Sequence, residues 1–289
     1  MKILLAGATG VVGRLLMSQL VSAGHKVTGT TRSEARAEMI TRLGGRPVLL
    51  DALDRDAVLT LLRVVRPDVV IHQLTDLATR DWAANSRLRI DGTRNLVDAA
   101  QAVGVERMIA QSISWVTVPG DRPAHETDPL DLAAPPPRDE TIAGVAALER
   151  AVLELPVGVV LRYGRLYGAG TWYARDGWNS ERILQGEVSA TEAVVSFLHV
   201  EDAAAAALWA LDAPAGVYNI VDDEPASGWE WLPVYAKLID APPPRIAAGR
   251  ERWERGESNA KARELGWRPH YPTWREGFAA VLRTEQETG

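Results

Sequence analysis

The 289-residue sequence contains no cysteine. Disulfide bonds, thiolate nucleophiles and zinc–thiolate sites are therefore excluded. Histidine is also scarce, and the five histidines, at positions 25, 72, 125, 199 and 270, are too scattered to show the spacing of metal ligands. The sequence therefore predicts a protein without a structural or catalytic metal.

Long apolar runs are lacking as well, and the longest are strand-length pieces such as VGVVL. Pieces of this length are too short to span a membrane. Met1 leads directly into a predicted strand, KILLAG, which leaves no room for a targeting segment. We therefore expect a cytoplasmic protein.

The charge balance is acidic, with a formal net charge of -6 at pH 7. An acidic surface does not favour nucleic acid or an anionic membrane as a partner. The expected partner is a small-molecule substrate, and the sequence leaves the oligomeric state open.

The first half of the chain alternates short apolar runs with amphipathic helical patterns. KILLAG, HKVTGTT, RPVLLD, PDVVIHQL and ERMIAQS are typical of strands, and helical patterns such as VVGRLLMSQLVSAG lie between them. This alternation predicts an α/β fold of the Rossmann type, in which helices cover both faces of a doubly wound parallel sheet. We expect a dinucleotide-binding domain over residues 1–165 and a smaller C-terminal substrate lobe over 166–289, with a segment near 217–221 returning to the main sheet.

Residues 117–138 interrupt this alternation. The stretch is rich in proline and acidic residues, as is typical of a long loop. It is either a solvated connection or, as loops of this length often are, a lid or wall of a binding site.

A glycine-rich turn, GATGVVG, follows the first predicted strand. Its three glycines allow a tight turn, a close approach of the backbone to a pyrophosphate, and packing of a helix against the sheet. The helix that begins at Val11 points its free N–H groups at the phosphates. Because the turn follows a strand and opens a helix, it predicts dinucleotide binding. The predicted contacts are Gly7, Thr9, Gly10, Val11, Val12 and Gly13.

The end of the second predicted strand, TGTTRS, indicates which dinucleotide is bound. A protein selective for NAD usually has an acidic residue here, which binds the ribose 2′-hydroxyl. Arg32 stands here instead, with Ser33 and Arg36 after it, and an arginine pairs well with a 2′-phosphate. We therefore expect NADP (NADPH) as the cofactor, with Asp51 near the adenine. The alternative is that Arg32 is a solvated charge at the end of a strand.

Motifs along nearly the whole chain resemble those of extended or atypical short-chain dehydrogenases/reductases of the NAD-dependent epimerase/dehydratase type. They are GATGVVG, VVIHQL, DGTRNLVDAA, LRYGRLYGAG, SFLHVEDAAAAA, GVYNIVDDEP and ARELGWRPHYP. One departure is Arg89, which stands where an asparagine is usual. The resemblance implies a Rossmann fold and chemistry at a nicotinamide cofactor. It also implies further cofactor contacts at Ala52, Leu74, Gln111 and Tyr163.

The resemblance further implies a tyrosine and a lysine, four residues apart, on the helix after the long loop. In the family the tyrosine exchanges a proton with the substrate, and the lysine lowers the pKa of the tyrosine and holds the nicotinamide ribose. The corresponding stretch, DETIAGVAALER, places Thr141 and Val145 at these positions when it is aligned on Glu149. No tyrosine or lysine lies between residues 118 and 162, so a shift of one helical turn does not restore the pair.

The absent pair leaves the source of a catalytic proton open. Hydride transfer to a carbonyl needs a proton donor near the oxygen. Tyr167 is the first candidate, because the resemblance places its loop between cofactor and substrate; packing is the alternative. Ser114, in QSISWVTV, is a candidate after a small shift of register, and its alternative is a strand-end serine bonded to backbone. Tyr163, Tyr173 and His199 complete the set.

Tryptophan is unusually frequent, with ten in the chain, and eight of these lie after residue 165. Indole rings stack on flat or apolar faces of ligands. The resemblance places substrate contacts in TWYARDGW, which predicts Trp172, Tyr173 and Trp178 as substrate residues, together with His199; core packing is the alternative. No arginine pair stands at a family position for a sugar-nucleotide pyrophosphate. An aromatic or polyketide-like small molecule is therefore favoured.

Several functions remain open from the sequence. The first is an NADP-dependent oxidoreductase of atypical type. The second is a non-redox enzyme on the same fold, such as a cyclase or dehydratase, and the third is a non-catalytic dinucleotide sensor. A conventional sugar-nucleotide epimerase is disfavoured, because that chemistry needs the missing tyrosine.

Overall fold

The computed structural model describes residues 1–77 and 80–288. Its strands are β1 (Lys2–Ala6), β2 (Lys26–Thr31), β3 (Arg46–Leu49), β4 (Val69–His72), β5 (Arg107–Ile113), β6 (Val157–Tyr163), β7 (Arg165–Tyr167), β8 (Val194–Val195), β9 (Phe197–His199), β10 (Gly216–Ile220) and β11 (Ala226–Ser227). Its helices are α1 (Val11–Ser22), α2 (Glu34–Arg42), α3 (Arg55–Val65), α4 (Trp82–Arg87), α5 (Thr93–Ala102), α6 (Arg138–Val152), α7 (Trp178–Leu184), α8 (Val200–Trp209), α9 (Gly228–Leu238), α10 (Ala260–Glu264) and α11 (Trp274–Thr288). A π-helical turn, Leu88–Gly92, connects α4 to α5.

Seven of these strands form one sheet, in the order β10-β6-β5-β4-β1-β2-β3. The pairs β1–β2, β1–β4, β2–β3 and β4–β5 are parallel. Strands such as VVIH in β4 are buried along their whole length, as expected for a sheet that is covered on both faces. The predicted Rossmann-type α/β fold is therefore confirmed. The strand order reverses at β1, and in such sheets a ligand binds beyond the carboxyl ends of the strands at this point.

The chain forms two compact units. Unit 1 comprises Met1–Ile113, Leu130–Arg162 and Ala204–Tyr218, and unit 2 comprises Ser114–Pro129, Tyr163–Ala203 and Asn219–Gly289. This division differs from the predicted one, which had a single domain boundary near residue 165. Part of the long loop packs into unit 2, and most of α8 packs into unit 1. The division into domains at residue 165 stays a prediction. β10, which contains residues 217–220, lies at one edge of the main sheet.

The core of unit 1 lies between its sheet and the helices α3, α5 and α6. Leu4 and Val70 of the strands belong to the same buried cluster as Leu62, Leu96 and Leu148 of these helices. Helix α3 shows how the sequence produces this packing, since its hydrophobic side chains recur on one face and the Asp54 carboxylate accepts a hydrogen bond from the Ala57 N–H at 3.0 Å. Each fully buried leucine stabilises the fold by about 1.5–3 kcal/mol.

The core of unit 2 is mainly aromatic. Tyr173, Phe197 and Phe278 pack edge to face or tilted against their neighbours, and Trp231 and Tyr235 from α9 close the cluster. Several of the aromatic residues that are frequent late in the chain therefore serve packing. Each aromatic ring buries a large apolar area, so this core needs fewer aliphatic side chains.

The first part of the long loop is a packed segment of unit 2. The Arg255 guanidinium donates to the Asp128 carboxylate at 2.9 Å, the Val118 carbonyl at 3.0 Å and the Thr117 hydroxyl at 3.3 Å. A second Arg255 nitrogen donates to the Arg122 carbonyl at 2.8 Å. This stretch is therefore held by a buried arginine and is not a merely solvated connection; a role as a lid or site wall stays a prediction.

Candidate functional site

The glycine-rich turn between β1 and α1 has the geometry of a phosphate cradle. Gly7 has a φ of +89°, and a Cβ there would lie 2.7 Å from the Gln73 carbonyl oxygen. A Cβ at Gly13 would lie 2.0 Å from the Gly7 oxygen, whereas one at Gly10 would lie 3.4 Å from it. Gly7 and Gly13 are thus required for the turn itself, while a side chain at Gly10 would extend into the space above it.

The N-terminus of α1 is suited to an anion. The N-cap is Gly10, which has no side chain to occupy the first N–H groups, and the first turn contains no acidic residue. Free N–H groups and the helix dipole both favour negative charge at this end. The residues present therefore fit a dinucleotide pyrophosphate.

The other predicted cofactor residues of unit 1 lie at or just beyond the carboxyl ends of the strands, as the glycine-rich turn does. They share this side of the sheet because β1 to β5 run parallel. The Thr9 hydroxyl lies 3.4 Å from the Thr31 hydroxyl at the end of β2. The Gln111 side-chain amide donates to the Leu74 carbonyl at 3.4 Å. The sheet thus brings together a set that sequence reasoning named one by one: Gly7, Thr9, Gly10, Val11, Val12, Gly13, Arg32, Ser33, Arg36, Asp51, Ala52, Leu74 and Gln111.

Arg32 follows β2 directly and lies beside Asp76. Its Nη1 donates to Asp76 Oδ2 at 3.2 Å, and its side chain is 61% exposed. An exposed ion pair of this kind contributes about 0–1 kcal/mol to stability. The guanidinium can therefore leave Asp76 for another anion at little cost.

Tyr163 does not join this set. It is buried in unit 2, and its hydroxyl donates to the Ala203 carbonyl at 3.0 Å. Because this hydrogen bond occupies the hydroxyl, the structure gives no support to the predicted contact between Tyr163 and the cofactor.

Helix α6 contains Thr141 and Val145, which we aligned with the family's tyrosine and lysine. Val145 is completely buried, and Thr141 is half-buried. Glu149, the residue on which the motif was aligned, accepts hydrogen bonds from Arg162 at 2.8 and 2.7 Å and from the Ser112 hydroxyl at 2.8 Å. Glu149 is thus held in a buried ion pair, and neither Thr141 nor Val145 has a side chain that can protonate an alkoxide.

Arg89 faces this helix from the π-helical turn. Its side chain lies over Gly144, where a Cβ would be 3.6 Å from Arg89 Cδ. Burial lowers the pKa of Arg89 to about 10, so the guanidinium remains charged at neutral pH. Sequence reasoning registered Arg89 only as a departure from the family pattern, because a π-helical turn has no sequence signal that would have shown which way the side chain points.

The structure gives no support to Tyr167 as the proton donor, and that role stays a prediction. Tyr167 is completely buried among aromatic rings of unit 2, with its ring 4.7 Å from that of Phe278. Burial and the nearby Asp222 and Asp202 carboxyl groups raise the pKa of Tyr167 well above its usual value. The hydroxyl is therefore a poor acid, and the packing alternative describes this residue.

Ser114 is also buried in unit 2, where its N–H donates to the Tyr163 carbonyl at 3.0 Å. Its hydroxyl lies beside the buried Glu257 carboxyl, as does that of Ser196. Burial raises the pKa of Glu257, and the two serines partly oppose this rise. Ser114 thus lies beside another buried group without a hydrogen bond from its hydroxyl to any residue that the structure describes, and the structure gives no support to a catalytic role for it.

The predicted substrate residues divide into two groups. Trp172 and Trp178 form an edge-to-face pair with ring centroids 5.5 Å apart, and both are partly exposed. Tyr173 and His199 lie in the interior of unit 2 instead. His199 Nδ1 accepts the Glu201 N–H at 3.2 Å, and burial lowers the pKa of His199 to about 4, so its ring is neutral at pH 7. The structure gives no support to Tyr173 and His199 as substrate residues, and substrate contact by the tryptophan pair stays a prediction.

A recess in unit 2 adds residues that sequence reasoning missed. Two indoles and a guanidinium line it, and the cavity inside it is small, about 10 Å³. Arg165 lies over the Trp115 ring, with Cζ 5.9 Å from the ring centroid. The lining residues are Trp115, Arg165, Val194, Val195, Ser196, Trp253, Glu254 and Glu257. They come from four separate segments of the chain, so no local pattern could have grouped them.

The part of the chain that the structure describes shows no group of three or more histidine, aspartate or glutamate side chains placed to hold a metal ion. Within the same residues, no helix combines the length and the apolar character needed to cross a membrane.

Fold and cradle together define an α/β dinucleotide-binding protein. The model of the NAD dependent epimerase/dehydratase family matches residues 3–221, and the chain belongs to this family. A Streptomyces sp protein named 3-diazoavenalumate denitrifying reductase is 44% identical over 96% of this chain and 99% of its own length. The dTDP-4-dehydrorhamnose reductase of Streptomyces griseus is 28% identical over 84% of this chain and 78% of its own length.

Solved structures agree with this assignment. The UDP-glucose 4-epimerase of Thermus thermophilus, in complex with NAD, is similar with a TM-score of 0.80 and 25% identity, and the match covers 100% of both chains. The chain is therefore an atypical short-chain dehydrogenase/reductase of the extended type, in a family that depends on NAD(P).

Proposed function

We propose that the protein is an NADP-dependent reductase that removes a diazo group from an aromatic carboxylate as N₂. The observation that carries the proposal is helix α6, where Thr141 and Val145 stand in place of a proton donor and its lysine. The relative named 3-diazoavenalumate denitrifying reductase supports the diazo group and the carboxylate. The aromatic ring is supported by the indoles that line the recess in unit 2.

The chemistry of the two substrate classes explains why this helix needs no acid. When bound, the dinucleotide supplies a hydride. A carbonyl that gains a hydride becomes an alkoxide, which must then be protonated. An aryl diazonium group is already a cation: a hydride added to its terminal nitrogen gives a neutral aryl diazene. Loss of N₂, with transfer of that hydrogen to the ring carbon, gives the arene, so two electrons reduce the substrate and no further proton is consumed.

The residues of unit 1 would hold the dinucleotide without taking part in proton transfer. Gly7 and Gly13 permit the tight turn, and Gly10 leaves room for the pyrophosphate at the N-terminus of α1. Arg32 would exchange its exposed partner Asp76 for a 2′-phosphate, which carries more charge and offers more acceptor oxygens than one carboxylate. This exchange is our reason for proposing NADP rather than NAD.

The recess in unit 2 is too small to enclose an aromatic carboxylate, but the side chains at its mouth have the features needed to contact one. Trp115 and Trp253 present flat apolar faces, and Arg165 presents a partly exposed guanidinium. Burial raises the pKa of Glu257, which lessens its repulsion of an anionic substrate. We propose that Arg165 pairs with the substrate carboxylate while the indoles contact its ring.

The test is to incubate the purified protein and NADPH with a hydroxycinnamate that carries a diazonium group on its ring. We expect stoichiometric oxidation of NADPH, release of N₂ and formation of the diazo-free hydroxycinnamate. Gly10→Val is the matched control, because it fills the cradle and should leave only the uncatalysed rate. Arene formation at the same rate in both proteins would contradict a catalytic role and would favour the sensor alternative.

A further inference from the structure

Arg89 is a buried cation for which unit 1 offers no hydrogen bond. The residue is only 7% exposed, no hydrogen bond joins its guanidinium to another of residues 1–77 or 80–288, and its nitrogen atoms are not among the fully enclosed atoms that lack a partner. Buried charges in proteins are normally paired and hydrogen-bonded, since an uncompensated one is costly. A guanidinium left in this state indicates a ligand with oxygen acceptors.

The neighbouring charges do not compensate this cation. Glu149 is the acidic group that acts on Arg89, but both of its carboxylate oxygens already accept hydrogen bonds from Arg162. His72 is neutral at pH 7, because burial lowers its pKa to about 4. The buried group formed by Arg89, Glu149 and Arg162 therefore has one positive charge in excess.

The position of Arg89 indicates which part of a dinucleotide it faces. Arg89 acts electrostatically on His72, the last residue of β4, and β4 lies on the opposite side of β1 from β2. In a doubly wound sheet the pyrophosphate lies where the strand order reverses, with one nucleotide half on each side. Arg32 follows β2 on the adenosine side, so Arg89 lies on the nicotinamide side.

We propose that Arg89 binds the ribose of the nicotinamide half and donates hydrogen bonds to its hydroxyl oxygens. The inference rests on the cofactor-binding part of the proposed function and is independent of the substrate. It provides, from a different helix, a cation for the position that the family resemblance assigned to the missing lysine.

ADP-ribose and ADP test this proposal as a matched pair, because they differ only by the terminal ribose. By calorimetry, Arg89→Met should lower the affinity for ADP-ribose about tenfold or more and change that for ADP by less than about twofold. Arg89→Lys should retain part of the ADP-ribose affinity. Arg87→Met removes an exposed charge two residues away, and it should leave both affinities unchanged.

Two binding results would overturn the proposal. One is unchanged ADP-ribose affinity in Arg89→Met, and the other is an equal loss for both ligands, which would show a general effect on the fold. Stability gives an independent readout. Without ligand, the Arg89→Met variant should melt at or above the wild-type temperature, because the substitution removes an uncompensated buried charge. A clearly lower melting temperature would show that Arg89 only supports Glu149, and this result would also overturn the proposal.

The same experiment separates the two proposals. If the wild-type protein binds neither ligand nor NADPH, the proposed function itself fails. If the wild-type protein binds ADP-ribose better than ADP and Arg89→Met keeps that difference, only the role of Arg89 is wrong.

Discussion

At the scale of a single residue, we predict that Arg32 decides which dinucleotide is bound. We expect NADPH to bind more tightly than NADH, because the exposed guanidinium can form charge-assisted hydrogen bonds with the 2′-phosphate. Arg32→Asp should reverse the preference, since losing such a contact costs about 1.5–3 kcal/mol. Calorimetry of both dinucleotides with both proteins measures the effect. Equal affinities for NADPH and NADH in the wild-type protein would refute this role.

Tyr167 provides a second test at this scale. Its hydroxyl is buried in the aromatic core, and none of the described residues accepts or donates a hydrogen bond to it. Tyr167→Phe removes this hydroxyl and keeps the ring, so we expect turnover within about twofold of wild type and an unchanged or higher melting temperature. A hundredfold loss of turnover in a stably folded variant would restore Tyr167 as the acid.

Asp222 makes stability depend on pH. Burial raises its pKa to about 9, so the folded protein keeps it neutral at pH 7 whereas the unfolded chain ionises it near 4. The unfolded state therefore binds fewer protons, and this residue makes the protein less stable as pH rises from about 4 to 9. Asp222→Asn should raise the melting temperature more at pH 8 than at pH 5. A gain that is equal at both pH values would show that Asp222 is ionised in the fold.

At the scale of a secondary-structure element, helix α6 allows a test of whether the reaction needs a proton donor. If the reaction needs no proton donor, then Thr141 has no catalytic task. Thr141→Val should leave turnover within about tenfold, a barrier change of about 1.4 kcal/mol, whereas removal of a general acid usually costs about a hundredfold or more. Measurement needs one substrate and a check that the variant binds NADPH normally. A hundredfold loss would mean that the hydroxyl on this helix takes part in the reaction.

The sequence predicted those elements whose signal is local. The strands that end at Ala6, Thr31 and His72, and the glycine turn between β1 and α1, follow from apolar runs, periodicity and turn chemistry. The prediction that α6 lacks the family's proton donor also came from the sequence, because it depends only on residue types. Arg89 and Tyr167 were not readable in this way, since their roles depend on where the side chains point and on what packs around them.

At the scale of the whole molecule, unit 2 contains the clearest example of a feature that could not be predicted from the sequence. Trp115, Arg165 and Trp253 are far apart in the sequence, and the recess exists only because the fold brings them together. The tryptophans were noticed for their number, but composition cannot separate those that pack the core, such as Trp231, from those that line a recess. Tertiary packing decides between the two roles.

We propose that this protein reduces a group that needs no added proton. The most direct measurement compares two hydroxycinnamates that differ only in carrying a diazonium or an aldehyde group on the ring, each with saturating NADPH in a single turnover. We predict fast oxidation of NADPH with the diazonium compound, at a rate that Gly10→Val reduces to background, and no enzyme-dependent oxidation with the aldehyde. Reduction of the aldehyde at a comparable or greater rate would contradict the account.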